Sequence, residues 1–291
     1  MRVNIGVSEF KVGGPDLGEL QASNSILDDV DALRRRFLDE GHLLIRGLQK
    51  RETVLEARRA FLEYLDERGC LIEGTPLMDG KINLERGPRG GYRGDIHDPR
   101  QEGAPLAQSS EIGGLVESPE VIGFFERFLG GEVLAFHHRW MRAAGQGRST
   151  GMHFDFLYMG RGTERVCTVW CPLGDTPIEL GGLALCLGSE KSEDMKGAYE
   201  GVDADVHSDR MKEIGSLTPL DAARKYGGKW HTTNYQIGDV LIFGMYMLHA
   251  PLNNQTDRFR LSTDTRYQLQ DEPADQRWVT EGHLERTFIG G

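Results

Sequence analysis

His153 and Asp155 are separated by one residue, and His249 lies far downstream. Side chains two apart on an extended strand share a face, so an imidazole and a carboxylate at this spacing can grip one ion. A distant second imidazole completes a set of two nitrogens and one oxygen. That set is typical of ferrous oxygenases, because it leaves coordination positions open. Two can take a bidentate 2-oxo acid and a third can take dioxygen. The His-x-acid spacing recurs at His207/Asp209 and His283/Glu285. His207 sits in a polar stretch that reads as helix or loop, where positions i and i+2 diverge. No histidine follows His283. Only His153 opens an apolar, strand-like segment with more strands and a further histidine behind it.

His249 ends the apolar run from Val240 to Leu248, where a buried imidazole needs a partner or an ion. Downstream, Arg258, Arg260, Ser262, Asp264 and Arg266 alternate with Phe259, Leu261, Thr263, Thr265 and Tyr267. A strand would put the first set on one face. An arginine facing a barrel interior needs an anion, and its planar fork suits a carboxylate. Arg260 with Ser262 is read as such a receptor. Arg258 and Arg266 are read as ion-paired with nearby acids on an exposed face.

These side chains need a frame. Apolar residues at helical spacing predict helices over 26–38 and about 52–67, the first stopped by Gly41. His42 to Gly47 reads as a short buried strand. Ser118-Pro119-Glu120 starts another helix to Leu129. The stretch 74–110 is rich in glycine, proline and charge, and it reads as a lid or binding loop in which Arg89, Tyr92, Arg93 and His97 could meet substrate. Beyond Gly131 the pattern turns to strands over 133–141, 154–159, 166–170, 183–187, 240–245 and 259–267, interrupted by a polar, partly helical insertion at 190–230. Short strands in series with glycine turns predict a barrel or double-sheet jelly roll. The expected organisation is one oxygenase domain over 1–291, with a mostly helical flank at 26–130 and a jelly-roll core at 131–270.

The composition agrees. The 38 glycines among 291 residues are roughly twice the average share of ~7%. The formal charge is −11 and no basic run stands out, which argues against nucleic acid and anionic membranes as partners. No apolar run approaches the ~20 residues of a membrane helix, and no secretory leader is visible, so a cytoplasmic protein is expected. Cys70, Cys167, Cys171 and Cys186 then read as reduced, buried thiols. A zinc site on Cys167 and Cys171 lacks a second pair of the same spacing.

The ordered set His153-x-Asp155, Gly181-Gly182-Leu183-Ala184-Leu185-Cys186-Leu187-Gly188-Ser189, Gly238-Asp239-Val240-Leu241-Ile242-Phe243 leading to His249, and Asn253 to Arg260-x-Ser262 resembles the phytanoyl-CoA hydroxylase family. The resemblance spans about residues 26–268. It implies a mainly β fold with flanking helices around a double-stranded β-helix, a cupin-like jelly roll. It implies Fe(II), 2-oxoglutarate as co-substrate, and O2. His153, Asp155 and His249 would ligate iron, and Arg260 with Ser262 would bind the distal carboxylate of 2-oxoglutarate. Trp170 and His138 fall where the family lines the co-substrate pocket. The implied reaction is hydroxylation of a small molecule, since related halogenases lack the carboxylate that Asp155 supplies. Glu190 and Pro251 depart from the family pattern. Two other readings remain open: a cupin-type metalloenzyme without 2-oxoglutarate, and a non-catalytic binding jelly roll. Substrate and oligomeric state are not legible.

Overall fold

The computed structural model describes residues 1–86, 104–147, 150–207, 209–210 and 216–279. Arg89, Tyr92, Arg93 and His97 of the expected lid, and His283 with Glu285, lie outside the described residues. Twelve strands follow in order: β1 (Arg2–Ile5), β2 (Ser8–Lys11), β3 (Leu17–Glu19), β4 (His42–Ile45), β5 (Val133–Ala135), β6 (Trp140–Ala144), β7 (Cys167–Pro172), β8 (Leu183–Leu187), β9 (Lys229–Thr232), β10 (Val240–Gly244), β11 (His249–Pro251) and β12 (Arg260–Leu269). The larger sheet runs β4-β10-β7-β12-β5, with β6 also paired to β12. The smaller sheet runs β11-β8-β9-β3, and β1 and β2 form a hairpin. The two sheets face one another as a jelly-roll core.

Strand alternation decides what each face does. Val240 and Ile242 of β10, Val169 of β7 and Tyr267 of β12 point outward. There they meet Leu33 and Phe37 of the helix Val30–Glu40, and Phe124, Phe125 and Phe128 of the helix Pro119–Leu129. Each fully buried aromatic of this layer contributes about 1.5–3 kcal/mol. Inward, Leu241, Phe243 and Trp170 pack against Leu183 and Leu185 of the smaller sheet. The outer face of the smaller sheet is covered by the β1–β2 hairpin and by the helix Pro219–Tyr226, through Val3, Ile5, Phe10, Ala222 and Tyr226.

The helices begin and end where their local chemistry directs. Asp29 accepts from the backbone N–H of Ala32, and Ser118 accepts from that of Val121 with proline at the next position. Gly41 ends the first helix at φ 71°, and a Cβ there would lie 2.7 Å from Glu190 and Met247 side-chain carbons.

Four expectations change. Residues 133–141 split into β5 and β6. Residues 154–159 are not a strand: Asp155 opens a helical turn over Phe156–Met159, its carbonyl accepting from the N–H groups of Tyr158 and Met159. The expected insertion holds the helix Glu193–Tyr199 and the helix Pro219–Tyr226, and it ends in β9, a full member of the smaller sheet. The N-terminal hairpin and β3 were not anticipated, because such short strands carry little periodic signal. The four cysteines are free and buried, as expected, and burial pushes the thiols of Cys167, Cys171 and Cys186 up to about 12.

Candidate metal centre and co-substrate cavity

His153 and His249 meet as an antiparallel bridge at the first residue of β11. Each backbone N–H donates to the other residue's carbonyl, at 3.1 and 2.9 Å. That bridge brings the two imidazoles together, tilted by 56° with ring centroids 4.3 Å apart. Phe154 turns into the apolar layer, so His153 and Asp155 emerge on the other side. Alternation therefore holds over these three residues although the strand stops at once. One ligand atom each from His153, Asp155 and His249 lies within 4.8 Å of the others, and theirs is the only such His, Cys, Asp or Glu cluster among the described residues.

The donor chemistry fits a metal. The Nδ1 atoms of His153 and His249 lie 2.8 and 2.9 Å from the carbonyls of Gly151 and Met247. A carbonyl can only accept, so the proton resides on Nδ1 and the Nε2 lone pair is left for an ion. Burial holds His249 down to about 3, with the neighbouring His153 adding to the effect, and it lowers His153 as well. Both imidazoles are neutral near pH 7, the form that ligates. Burial pushes the Asp155 carboxyl up. Arg266, the two imidazoles and the Thr168 hydroxyl outweigh it, and the carboxyl is ionised well below the usual range. Two neutral imidazoles and one carboxylate match a facial triad for ferrous ion.

Asp155 is held from behind. Its Oδ2 accepts from the Thr168 hydroxyl and, at 2.8 Å, from Nη2 of Arg266. Its Oδ1 is 3.9 Å from Nε2 of His153. Arg266 also donates to Oδ2 of Asp264 at 2.6 Å, and Arg142 donates to Oδ1 of the same carboxylate at 3.0 Å. Asp264 is ionised below its ordinary range, because the two guanidinium groups overcome its burial.

A cavity opens beside the triad. Its lining includes His153, His249, Arg260, Trp170, Leu183 and Phe243. Arg260 is buried, and its Nη1 donates to the Ser262 hydroxyl at 2.6 Å. Thus the two histidines of the triad, Arg260 and Trp170 share one cavity, and Ser262 supports Arg260. His138 is not among the lining residues. It lies in an aromatic group with ring centroids 4.3 Å from Trp140 and 5.0 Å from Trp278. Arg258 is exposed, as expected. Arg266 is ion-paired, but the exposed face foreseen for it is wrong, since only 2% of its side chain is exposed. His207 lies at the surface, where its Nδ1 accepts from the backbone N–H of Asp203.

Sequence reading missed Arg266, Asp264, Thr168 and Arg142 as parts of the site. Arg266 and Asp264 carried a signal, the shared face with Arg260. Thr168 carried a fainter one, two residues before Trp170. Nothing in the sequence marked Arg142.

Two imidazoles, a carboxylate and a buried guanidinium around one cavity of a jelly roll define a non-haem iron/2-oxoglutarate oxygenase. The model of the phytanoyl-CoA dioxygenase (PhyH) family matches residues 37–262, and the chain belongs to that family. Its cofactors are accordingly Fe(II), 2-oxoglutarate and O2. The chain is 28% identical over 260 residues to 1-deoxypentalenic acid 11-beta-hydroxylase of Streptomyces exfoliatus, covering 84% of this chain and 82% of that protein. Its fold is similar to that of SnoK, a non-heme alpha ketoglutarate dependent carbocyclase from nogalamycin biosynthesis. The TM-score is 0.61 at 18% identity, covering 90% of this chain and 92% of the other. It is also similar to the epimerase SnoN in complex with Fe3+, alpha ketoglutarate and nogalamycin RO, with a TM-score of 0.58 at 17% identity over 91% and 92% of the two chains. Among the described residues no helix is long and apolar enough to cross a membrane.

Proposed function

We propose that this oxygenase hydroxylates an unactivated C–H bond of a small organic molecule, converting 2-oxoglutarate and dioxygen to succinate and carbon dioxide. His153, Asp155 and His249 hold the ferrous ion. The observation that carries the reading is the convergence of these three donors, two of which line the cavity that Arg260 also lines. When bound, iron supplies the dioxygen activation that couples decarboxylation of the co-acid to oxidation of the substrate.

The chain's own residues do the rest. The two Nδ1–H groups, tied to Gly151 and Met247, fix both imidazoles with Nε2 toward the ion. Arg260 receives the distal carboxylate of 2-oxoglutarate on its planar fork, and Ser262 orients that fork. Trp170, Leu183 and Phe243 line the space between. Their apolar surfaces exclude water and strengthen the contact between guanidinium and carboxylate. Asp155 occupies the coordination position that a halide would need, which favours hydroxylation over halogenation. Two relatives are named as hydroxylases of 1-deoxypentalenic acid, which supports a small metabolite as substrate.

The test is direct. Protein loaded with iron is incubated with 2-oxoglutarate and a panel of small hydrophobic acids and polycyclic scaffolds, and succinate is quantified. A substrate-dependent rise is expected from the wild type and none from His249→Ala. Equal succinate from both proteins would sink the assignment.

A further inference from the structure

The buried charges behind Asp155 go beyond what three ligands and a co-substrate receptor require. Across the β7–β12 pairing, Thr168 stands directly opposite Arg266, and Trp170 opposite Asp264. On the other side of β12, Arg142 of β6 stands opposite Ser262. Backbone register therefore places Arg142, Asp264 and Arg266, and Asp155, at the start of its helical turn, completes a chain of alternating charges. The guanidinium of Arg266 lies 3.8 Å over the Trp140 ring. Side-chain exposure is 2% for Arg266, 2% for Asp155 and 6% for Asp264.

Such a chain is costly to bury unless each member is answered. A carboxylate can grip a cation with one oxygen or two, and a two-oxygen grip fills an extra coordination position. The oxygen Oδ2 of Asp155 already accepts from a hydroxyl and from a guanidinium. Turning it to the ion would forfeit a charge-assisted hydrogen bond and leave Arg266 facing only Asp264. Oδ1, on the His153 side, is the oxygen free to face the ion.

We propose that Arg266, helped by Thr168, is a positioning residue of the iron centre. It reserves Oδ2 of Asp155 and so holds the carboxylate to one-oxygen coordination, which keeps positions open for a chelating co-acid and dioxygen. Asp264 and Arg142 hold Arg266 in register. The inference rests on the assignment of His153, Asp155 and His249 as ligands.

The experiment titrates Co(II) anaerobically into wild-type protein, Thr168→Val, Arg266→Lys, Arg266→Met and His249→Ala. Affinity is read together with the cobalt visible absorption, which reports coordination number. Folding is checked by near-ultraviolet dichroism. Arg266→Met is expected to bind Co(II) about 10–100-fold more weakly, the range for lost partners of metal ligands, with a spectrum altered in shape at saturation. Thr168→Val changes the spectrum in the same sense with a smaller loss. Arg266→Lys, which keeps a cation, lies closer to the wild type than Arg266→Met. A folded Arg266→Met with wild-type affinity and spectrum overturns the proposal. If that variant does not fold, Thr168→Val decides, and an unchanged affinity and spectrum there overturn it equally. His249→Ala separates the two levels. Wild-type Co(II) affinity in that variant refutes the ligand assignment itself, whereas its loss beside an unaffected Arg266→Met refutes only the positioning role.

Discussion

Arg260 and Arg266 lie six residues apart on the same inward face of β12, both 2% exposed. Arg266 is enclosed by two carboxylates, Asp155 and Asp264, and lies over an indole. Arg260 donates to a serine hydroxyl and lines the cavity. One residue type on one strand therefore serves as fixed scaffold at one end and as proposed ligand receptor at the other. The difference comes from the surroundings: Asp264 of the same strand and Asp155 of the helical turn answer one guanidinium, and the cavity lies beside the other.

Substitutions can break this contrast or sharpen it. The largest effect is expected from Asp155→Ala, which leaves Arg266 paired with Asp264 alone. Succinate formation should fall at least about 1,000-fold, in line with loss of a group used throughout turnover. Millimolar formate should restore part of the metal affinity by occupying the gap between Arg266 and Thr168. Arg266→Met removes the scaffold cation, leaving buried Asp155 with only the Thr168 hydroxyl and Asp264 with only Arg142. It should cost about 3–5 kcal/mol of folding stability, read by urea unfolding.

Arg260→Ala should behave differently. Loss of a charge-assisted contact worth about 1.5–3 kcal/mol raises the KM for 2-oxoglutarate about 10–150-fold. Its urea midpoint should move much less than that of Arg266→Met. Equal destabilisation of both variants would erase the distinction between scaffold and receptor.

Acidification probes the same centre without mutation. His249 is held at about 3 against 6.5 for a free imidazole. Between those values the unfolded chain takes up the proton and the folded one does not, so stability is full above about pH 6.5 and declines below it. The lowered His153 and His42 act in the same sense. The depressed Asp155 and Asp264 contribute stability above the ordinary carboxyl value of 3.8, and they lose it only at lower pH. From pH 7 to 5 the metal-free protein should lose about 2 kcal/mol through His249 alone, at ~1.4 kcal/mol per unit. His249→Gln should lose correspondingly less in urea titrations at the two values. The smallest effect is expected from Ser262→Ala, about a 3–10-fold rise in KM for 2-oxoglutarate from one hydrogen bond of about 0.5–1.5 kcal/mol.

Much of the frame was readable from residue patterns. The helices Arg51–Asp66 and Pro119–Leu129 carry strong 3.6-residue periodicity and clear starts, and they form within a residue or two of the expected bounds. The core strands β7, β8, β10 and β12 were legible as apolar or alternating runs. The turn after Asp155 was not. Phe154 to Met159 is apolar enough for a strand, and only the packing of Phe154 against Tyr199, with ring centroids 5.3 Å apart, and of Phe156 against Tyr246, at 4.7 Å, favours the helical turn. The hairpin at residues 2–11 was missed because four-residue strands leave almost no period to detect.

The sequence by itself determined the donor types, their order and the face on which β12 carries its charges, because strand alternation is a property of the local backbone. Tertiary structure alone decided which charges answer one another. His153 and His249, joined by the bridge, are 96 positions apart in the chain, and Arg266 and Asp155 are 111 apart. Partners at such separations are chosen by sheet register, and register is fixed by how the whole core packs. The burial that keeps the imidazoles neutral and makes the Arg266 network costly to break likewise exists only once the two sheets have closed over it.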